Sequence, residues 1–266
     1  ATLRSYQTEG FQWLTKLAAW GVGACLADDM GLGKTIQALA AILYRSEKGP
    51  SLVVAPASVC RNWIKEIEKF APSLNPILFS ESDRKHSIET AGGNDVLITT
   101  YGLLQTESDL FGTRTFETIV LDEAQAIKNS NAKRSQAAMK LKGDFKVITT
   151  GTPIENHLGE LWNLFRFINP GLLGTLKGFR DRFAIPIEKD RDIATQRQLQ
   201  LLIRPFILRR HKRDVLTELP EKTEIVLSVD LSPQEQAFYE ALRRNAVESL
   251  EKDPQQQAGT KHLKVL

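Results

Sequence analysis

Cysteine is scarce in this chain of 266 residues, with only Cys25 and Cys60 present. Their separation matches no metal-ligand spacing and nothing around them suggests secretion. A disulfide framework and a zinc site are therefore set aside in favour of reduced thiols, with Cys25 buried in an apolar stretch. Long apolar runs are missing as well. No stretch approaches the roughly 18 residues needed to cross a bilayer, and the first residues lack a signal-peptide pattern, so a cytoplasmic globular protein is expected. There is no internal repeat and no excess of one charge. Thirty-five Lys and Arg face 32 Asp and Glu, a formal net charge of +3. So even a balance is compatible with nucleic-acid binding but does not argue for it, since dedicated DNA-binding modules are more lopsided.

What is present is the pattern of an α/β protein. Short apolar runs at Ala24–Ala27, Leu52–Ala55, Val96–Thr99, Thr118–Leu121 and Lys146–Thr149 suit buried parallel strands. Helical patterns lie between them at Thr35–Tyr44, at Lys133–Leu141, and at Val59–Phe70, where Val59, Trp63, Ile67 and Phe70 fall near one face. Strands separated by helices predict βαβ units and a parallel sheet flanked by helices, here over residues 1–157. After about Asn156 the texture changes. Leu158–Leu219 is rich in Leu, Phe and Arg, has helical spacing and carries no convincing strand pattern. Leu161, Leu164, Phe165 and Ile168 form one amphipathic stripe, closed by Asn169, Pro170 and Gly171. An appended helical subdomain is predicted over 158–220. Beyond it, Glu224–Leu231 alternates like a strand, Ser232 and Pro233 open a helix to about Leu250, and Asp253–Thr260 reads as a linker.

The segment Asp28-Asp29-Met30-Gly31-Leu32-Gly33-Lys34-Thr35 follows a predicted strand and opens a predicted helix. Converging backbone N–H groups, glycines that leave room for them, and the dipole of a helix N-terminus together make a phosphate cradle. Lys34 would reach the β- and γ-phosphates of a nucleotide and the Thr35 hydroxyl would ligate Mg²⁺. Asp28 replaces the first glycine of the general pattern. Asp122 and Glu123 end the apolar run Ile119–Leu121, at the strand edge where open α/β sheets place their sites. Asp122 would hold Mg²⁺, and Glu123 would orient and deprotonate an attacking water. Thr149–Asn156 also follows a strand, and either a coupling element or an ordinary turn fits it. Gln7 stands upstream of the phosphate loop, where it either reads an adenine edge or lies solvated on its helix. The run Arg209–Arg213 is either a phosphate-binding patch or an arginine-rich helix face that braces two lobes through carboxylates.

Taken together these segments resemble superfamily-two helicase-like ATPases, and within them the Swi/Snf-type DNA translocases. Leu3–Leu14 is similar to the family's adenine motif, Asp28–Thr35 to its phosphate loop, Asp122–Gln125 to its acidic box and Thr149–Asn156 to its coupling motif. Leu161–Pro170, Phe179–Glu188 and Ile203–Arg210 with Asp214-Val215 and Leu219-Pro220 resemble the family's helical insertion, which generic helicases lack.

The resemblance implies a RecA-like phosphate-loop lobe with ATP and Mg²⁺ as cofactors and double-stranded DNA as partner. By position Arg4, Gln7, Asp29, Met30, Gly31, Leu32, Gly33, Lys34 and Thr35 would bind ATP, with Thr35 and Asp122 on Mg²⁺. Lys34, Asp122 and Glu123 would be catalytic, and Gln125, Thr150 and Thr152 would couple nucleotide state to DNA. Ser58, Arg61, Thr99, Thr100 and Tyr101 would touch backbone phosphates. Gln125, where many members carry His, resembles prokaryotic members and speaks against a nucleosome substrate; a cytoplasmic protein, nucleoid-associated when on DNA, is expected. Members continue into a second RecA-like lobe that supplies arginines to the ATP site, so the 266 residues alone are expected to hydrolyse little. An RNA-directed ATPase of the same superfamily and a non-hydrolysing ATP-dependent scaffold are the other readings.

Overall fold

Alternation along buried strands decides the architecture, because successive side chains point to opposite faces of a sheet. In β2 (Ser51–Ala55), Leu52 and Val54 join one apolar cluster while Val53 and Ala55 join another. The same split runs through β1 (Ala24–Leu26), β4 (Asp95–Thr100), β5 (Thr115–Leu121) and β6 (Lys142–Thr149), where Ile119 and Leu121 face one cluster and Val120 the other. A sheet buried on both faces is what parallel βαβ topology requires. The computed structural model, which describes residues 3–151, 157–215 and 232–251, has this arrangement. With β3 (Asn75–Leu78) and β7 (Ile207–Leu208), seven parallel strands run in the order β3-β4-β2-β5-β6-β1-β7.

Helices α1 (Ser5–Ala19), α2 (Lys34–Arg45) and α3 (Ala57–Phe70) cover one face through Leu14, Leu17, Ile42, Trp63 and Ile67. On the other face lie α4 (Arg84–Thr90), α5 (Tyr101–Thr106), α6 (Ser108–Gly112), α7 (Lys133–Met139) and α8 (Leu158–Ile168). The five predicted strands are all present. The four-residue β3, opened by Asn75 and Pro76, and the two-residue β7 escape the sequence reading because their apolar stretches are too short to declare a strand. The helical block continues through α9 (Leu176–Phe179), a π-helical turn (Arg180–Ala184), α10 (Ile185–Glu188) and α11 (Ile193–Ile203).

Two features of this block differ from expectation. Leu161, Leu164, Phe165 and Ile168 of α8 pack into the same core as the sheet, and β7 pairs with β1 as the edge strand. Residues 1–218 accordingly form one compact unit with no division at 157, because the apolar stripe of α8 is buried against the sheet face.

Residues 219–266 form a second unit. Its described part is α12's successor in the chain, a long helix of residues 233–251, after the short α12 (Lys212–Val215) of the first unit. Ser232 caps it reciprocally: the Glu235 N–H donates to Ser232 Oγ at 3.3 Å and the Ser232 N–H to Glu235 Oε2 at 2.9 Å. The expected strand at 224–231, the linker at 253–260 and Thr152 lie outside the described residues. Among the described residues no helix is long and apolar enough to cross a membrane.

Candidate nucleotide site

Strand order puts the motifs side by side. β1 and β5 flank β6, so the loop after β1, the acidic pair after β5 and Thr149-Thr150 at the end of β6 share one carboxyl edge of the sheet. In the phosphate loop, Gly31 and Gly33 adopt left-handed backbones with φ of 87° and 75°. Gly33 caps α2, which places Lys34 and Thr35 in its first turn with the helix N–H groups unpaired ahead of them. Lys34 is buried, and its Nζ donates to the carbonyl oxygens of Asp28 at 2.7 Å and Asp29 at 3.4 Å. Met30 is exposed at the loop tip.

Gln7 is buried rather than solvated. Its Oε1 accepts the Arg4 N–H at 3.0 Å, closing the first turn of α1, and its Nε2 donates to the Leu32 carbonyl at 3.4 Å. The helix of the adenine-like motif thus rests directly on the phosphate loop. A Cβ at Gly33 would stand 2.6 Å from Gln7 Nε2, so this approach requires glycine for space as well as for φ. Arg4 is exposed.

The acidic limb is held by donors from three directions. Asp122 Oδ2 accepts from Trp63 Nε1 at 2.9 Å, and Oδ1 accepts from the Glu123 N–H at 3.0 Å and from the Thr149 hydroxyl. The Asp122 carbonyl accepts the Tyr101 hydroxyl at 2.8 Å. Burial, reinforced by the carboxylates of Asp122 and Glu123, pushes the Tyr101 phenol well above its ordinary range, so it remains a donor. Glu123 sits in a left-handed conformation (φ 50°, ψ 55°), a strained state for a residue with a side chain. Its Oε2 accepts Gln125 Nε2 at 2.9 Å, and Gln125 Oε1 accepts the Thr150 hydroxyl at 3.4 Å. Gln125 and Thr150, expected as coupling residues, therefore form one hydrogen-bonded chain with the expected base.

The expected DNA-facing residues divide. Ser58 and Arg61 are exposed on α3, with Arg61 paired to Glu81 at 2.6 Å, and Thr100 is half-buried with its hydroxyl capping α5. Thr99 and Tyr101 do not fit that role. Thr99 is 1% and Tyr101 4% exposed, because β4 is covered on both faces and the Tyr101 ring packs in the apolar core while its hydroxyl serves Asp122.

Sequence reasoning missed how the loop is braced. Within the run Arg209–Arg213, Arg210 does meet a carboxylate, but that carboxylate belongs to the phosphate loop of the same compact unit. Its Nε donates to Asp28 Oδ1 at 3.0 Å and its Nη2 to Oδ2 at 2.5 Å; Nη2 also reaches Gln37 Oε1 at 2.7 Å and Nη1 the Tyr6 carbonyl. The guanidinium lies over the Tyr6 ring, 5.3 Å from its centroid. Two residues on, the Lys212 N–H donates to Asp29 Oδ2 at 3.0 Å, which together with the neighbouring His211 holds the Asp29 carboxyl below its ordinary range. Asp28 and Arg210 are 182 residues apart, and no local pattern announces the pair. Trp63 was legible only as a core residue.

A glycine-rich loop opening a helix beside a strand-end acidic pair defines a RecA-like nucleotide-binding lobe. Comparison with known proteins agrees with that class and narrows it. The SNF2-related domain matches residues 6–266, and the chain belongs to that family. YwqA of Bacillus subtilis, whose name is that of an ATP-dependent helicase/translocase, is 46% identical over 94% of this chain and 28% of its own length. The chromatin-remodeling ATPase INO80 of Arabidopsis thaliana is 40% identical over 91% of this chain and 18% of its length. The solved Sulfolobus solfataricus SWI2/SNF2 ATPase core in complex with dsDNA is 39% identical, with a TM-score of 0.74 over 98% of this chain and 55% of that one. The chain thus spans about a quarter of the length of the first of these relatives.

Proposed function

We propose that this chain is the ATP-binding lobe of a motor that couples ATP hydrolysis to movement on double-stranded DNA or to remodelling of protein–DNA complexes. The observation that carries the hydrolytic part is the gathering of Lys34, Thr35, Asp122 and Glu123 on the edge formed by neighbouring strands β1, β6 and β5. The duplex is supported by the solved relative described as bound to dsDNA and by the exposed Ser58 and Arg61 on α3.

In this reading Lys34 exchanges the carbonyls of Asp28 and Asp29 for the β- and γ-phosphates, while the N–H groups of Gly31 to Thr35 surround them. Among the described residues no group of three His, Cys, Asp or Glu could hold a metal alone. That donor set fits Mg²⁺, which binds through one or two protein oxygens plus phosphates and water; Thr35 and Asp122 would supply the protein oxygens. The ion would neutralise charge on the phosphates. Trp63 and Thr149 orient the Asp122 carboxylate for that task. Glu123 takes the proton of the attacking water, and Gln125 and Thr150, with Thr152, pass the state of the nucleotide onward. Gln7 reads the adenine edge with Arg4 beside it. A second RecA-like lobe of the same polypeptide completes the site, and the protein works in the cytoplasm, on the nucleoid when bound to DNA.

The test is ATPase activity of the full-length protein with duplex DNA, single-stranded DNA and RNA at one fixed salt concentration. Stimulation by duplex DNA is expected. Stimulation by RNA alone would transfer the site to an RNA-directed ATPase, and ATP binding without turnover under any condition would make it a scaffold.

A further inference from the structure

We propose that Arg210 is a positioning residue of the nucleotide site: by neutralising Asp28 it keeps the Lys34 ammonium free for phosphate. The role rests on the reading of residues 28–35 as a nucleotide loop. Asp28 stands where the general phosphate-loop pattern has a glycine, and its carboxylate is fully buried. A buried carboxylate must find a cation or enough hydrogen bonds to replace its lost water. Two cations meet at this residue. Arg210 takes both carboxylate oxygens through Nε and Nη2, at 3.0 Å and 2.5 Å, while its backbone N–H adds a third bond to Oδ1 at 3.1 Å. Lys34 bonds the backbone carbonyl of the same Asp28 at 2.7 Å and leaves the carboxylate to the arginine.

The division of labour follows from geometry. A planar fork matches both oxygens of a carboxylate, whereas an ammonium is a point charge that can be handed from one acceptor to another. Gln37 Nε2 adds a bond to Asp28 Oδ2 at 3.2 Å, but a neutral amide does not cancel the charge. Without the guanidinium, the cation left beside the buried carboxylate is Lys34, and a Lys34–Asp28 ion pair competes with phosphate for the same ammonium. The arginine also fixes α1 through the Tyr6 carbonyl and ring, so the helix bearing Gln7 keeps its place on the loop.

A bracing role that is only structural and one that spares Lys34 differ in what removing Asp28's charge does. Affinity for a fluorescent ATP analogue with Mg²⁺ is measured on the full-length protein for Arg210→Gln, and for Arg210→Gln combined with Asp28→Asn. The single variant is expected to bind about tenfold more weakly or worse, and the double variant to recover to within about threefold of wild type, because the competing carboxylate is gone. If Arg210→Gln does not fold, Arg210→Lys, which keeps a cation beside Asp28, is expected to bind within about threefold of wild type, and a loss of about tenfold in it overturns the role. Arg210→Gln within about twofold of wild type, or the Arg210→Gln, Asp28→Asn double variant as weak as Arg210→Gln alone, also overturns it. Wild-type protein that bound no nucleotide would contradict the nucleotide reading itself, and this role with it.

Discussion

The two limbs of the site are held by different means. The phosphate loop is fixed by charge, through the Arg210 guanidinium arriving from the far end of the compact unit onto Asp28, with the backbone N–H of Lys212 adding a bond to Asp29. The acidic limb is fixed by neutral donors, Trp63, Thr149 and Tyr101, which come from the sheet and the helices beside it. The difference suits the tasks proposed for them. The loop must release Lys34 to a ligand, so its own buried charge has a separate partner. The Asp122 carboxylate must keep a fixed direction, which neutral donors give without introducing a competing cation.

The largest effect that tests this contrast is at Lys34. Lys34→Ala in the full-length protein is expected to weaken ATP binding by about a hundredfold or more, since charge-assisted bonds to phosphate are lost and none replaces them. Titration with a fluorescent nucleotide measures it. Next comes Gly33→Ala, which forces a left-handed alanine at a cost of about 1–2 kcal/mol and drives a Cβ into Gln7. A lower melting temperature together with weaker nucleotide binding is expected, and unchanged affinity would show that the loop tolerates displacement of Gln7.

On the acidic limb, Trp63→Phe removes the Asp122 Oδ2 donor and leaves a partial cavity, costing about 2–4 kcal/mol of stability. Turnover is expected to fall more than nucleotide affinity, because Lys34 and the loop are untouched. Equal losses in both would mean the two limbs are not separately held. The smallest effect concerns Cys25. Burial pushes its thiol up to about 12 from an ordinary 9.0, and Cys60 is also raised, by burial first and then by Asp122. Neither thiol is expected to react with a disulfide reagent at pH 8 until the protein unfolds. A raised pKa favours the folded state while the unfolded thiol stays protonated, so Cys25's contribution is complete below pH 9 and is lost as pH rises toward 12.

The sequence was most informative where chemistry is contiguous. Asp28–Thr35 and Asp122-Glu123 each carry their meaning within a few residues, and the apolar runs of β1, β2, β4, β5 and β6 are long enough to declare themselves. Alternation between the two cores was not visible, because strands buried on both faces show no polar face to alternate with. β7, with two residues, is a strand only because β1 lies beside it. The role of Trp63 was hidden by its residue type, since an indole at helical spacing reads as core and its N–H becomes functional only when Asp122 is brought next to it. Thr99 and Tyr101 were assigned by resemblance alone, and the burial of β4 and the start of α5 moved them inside.

The most direct test of a hydrolytic edge built from β1, β6 and β5 is Glu123→Gln in the full-length protein, with nucleotide affinity and steady-state ATP turnover measured side by side. The amide keeps the shape of the side chain and the contact with Gln125 but cannot accept the proton of water. Affinity within about twofold of wild type with turnover reduced by about 10² to 10⁴ is the expected result. Turnover at the wild-type rate would contradict the assignment of Glu123 as the base and with it the hydrolytic reading of this edge.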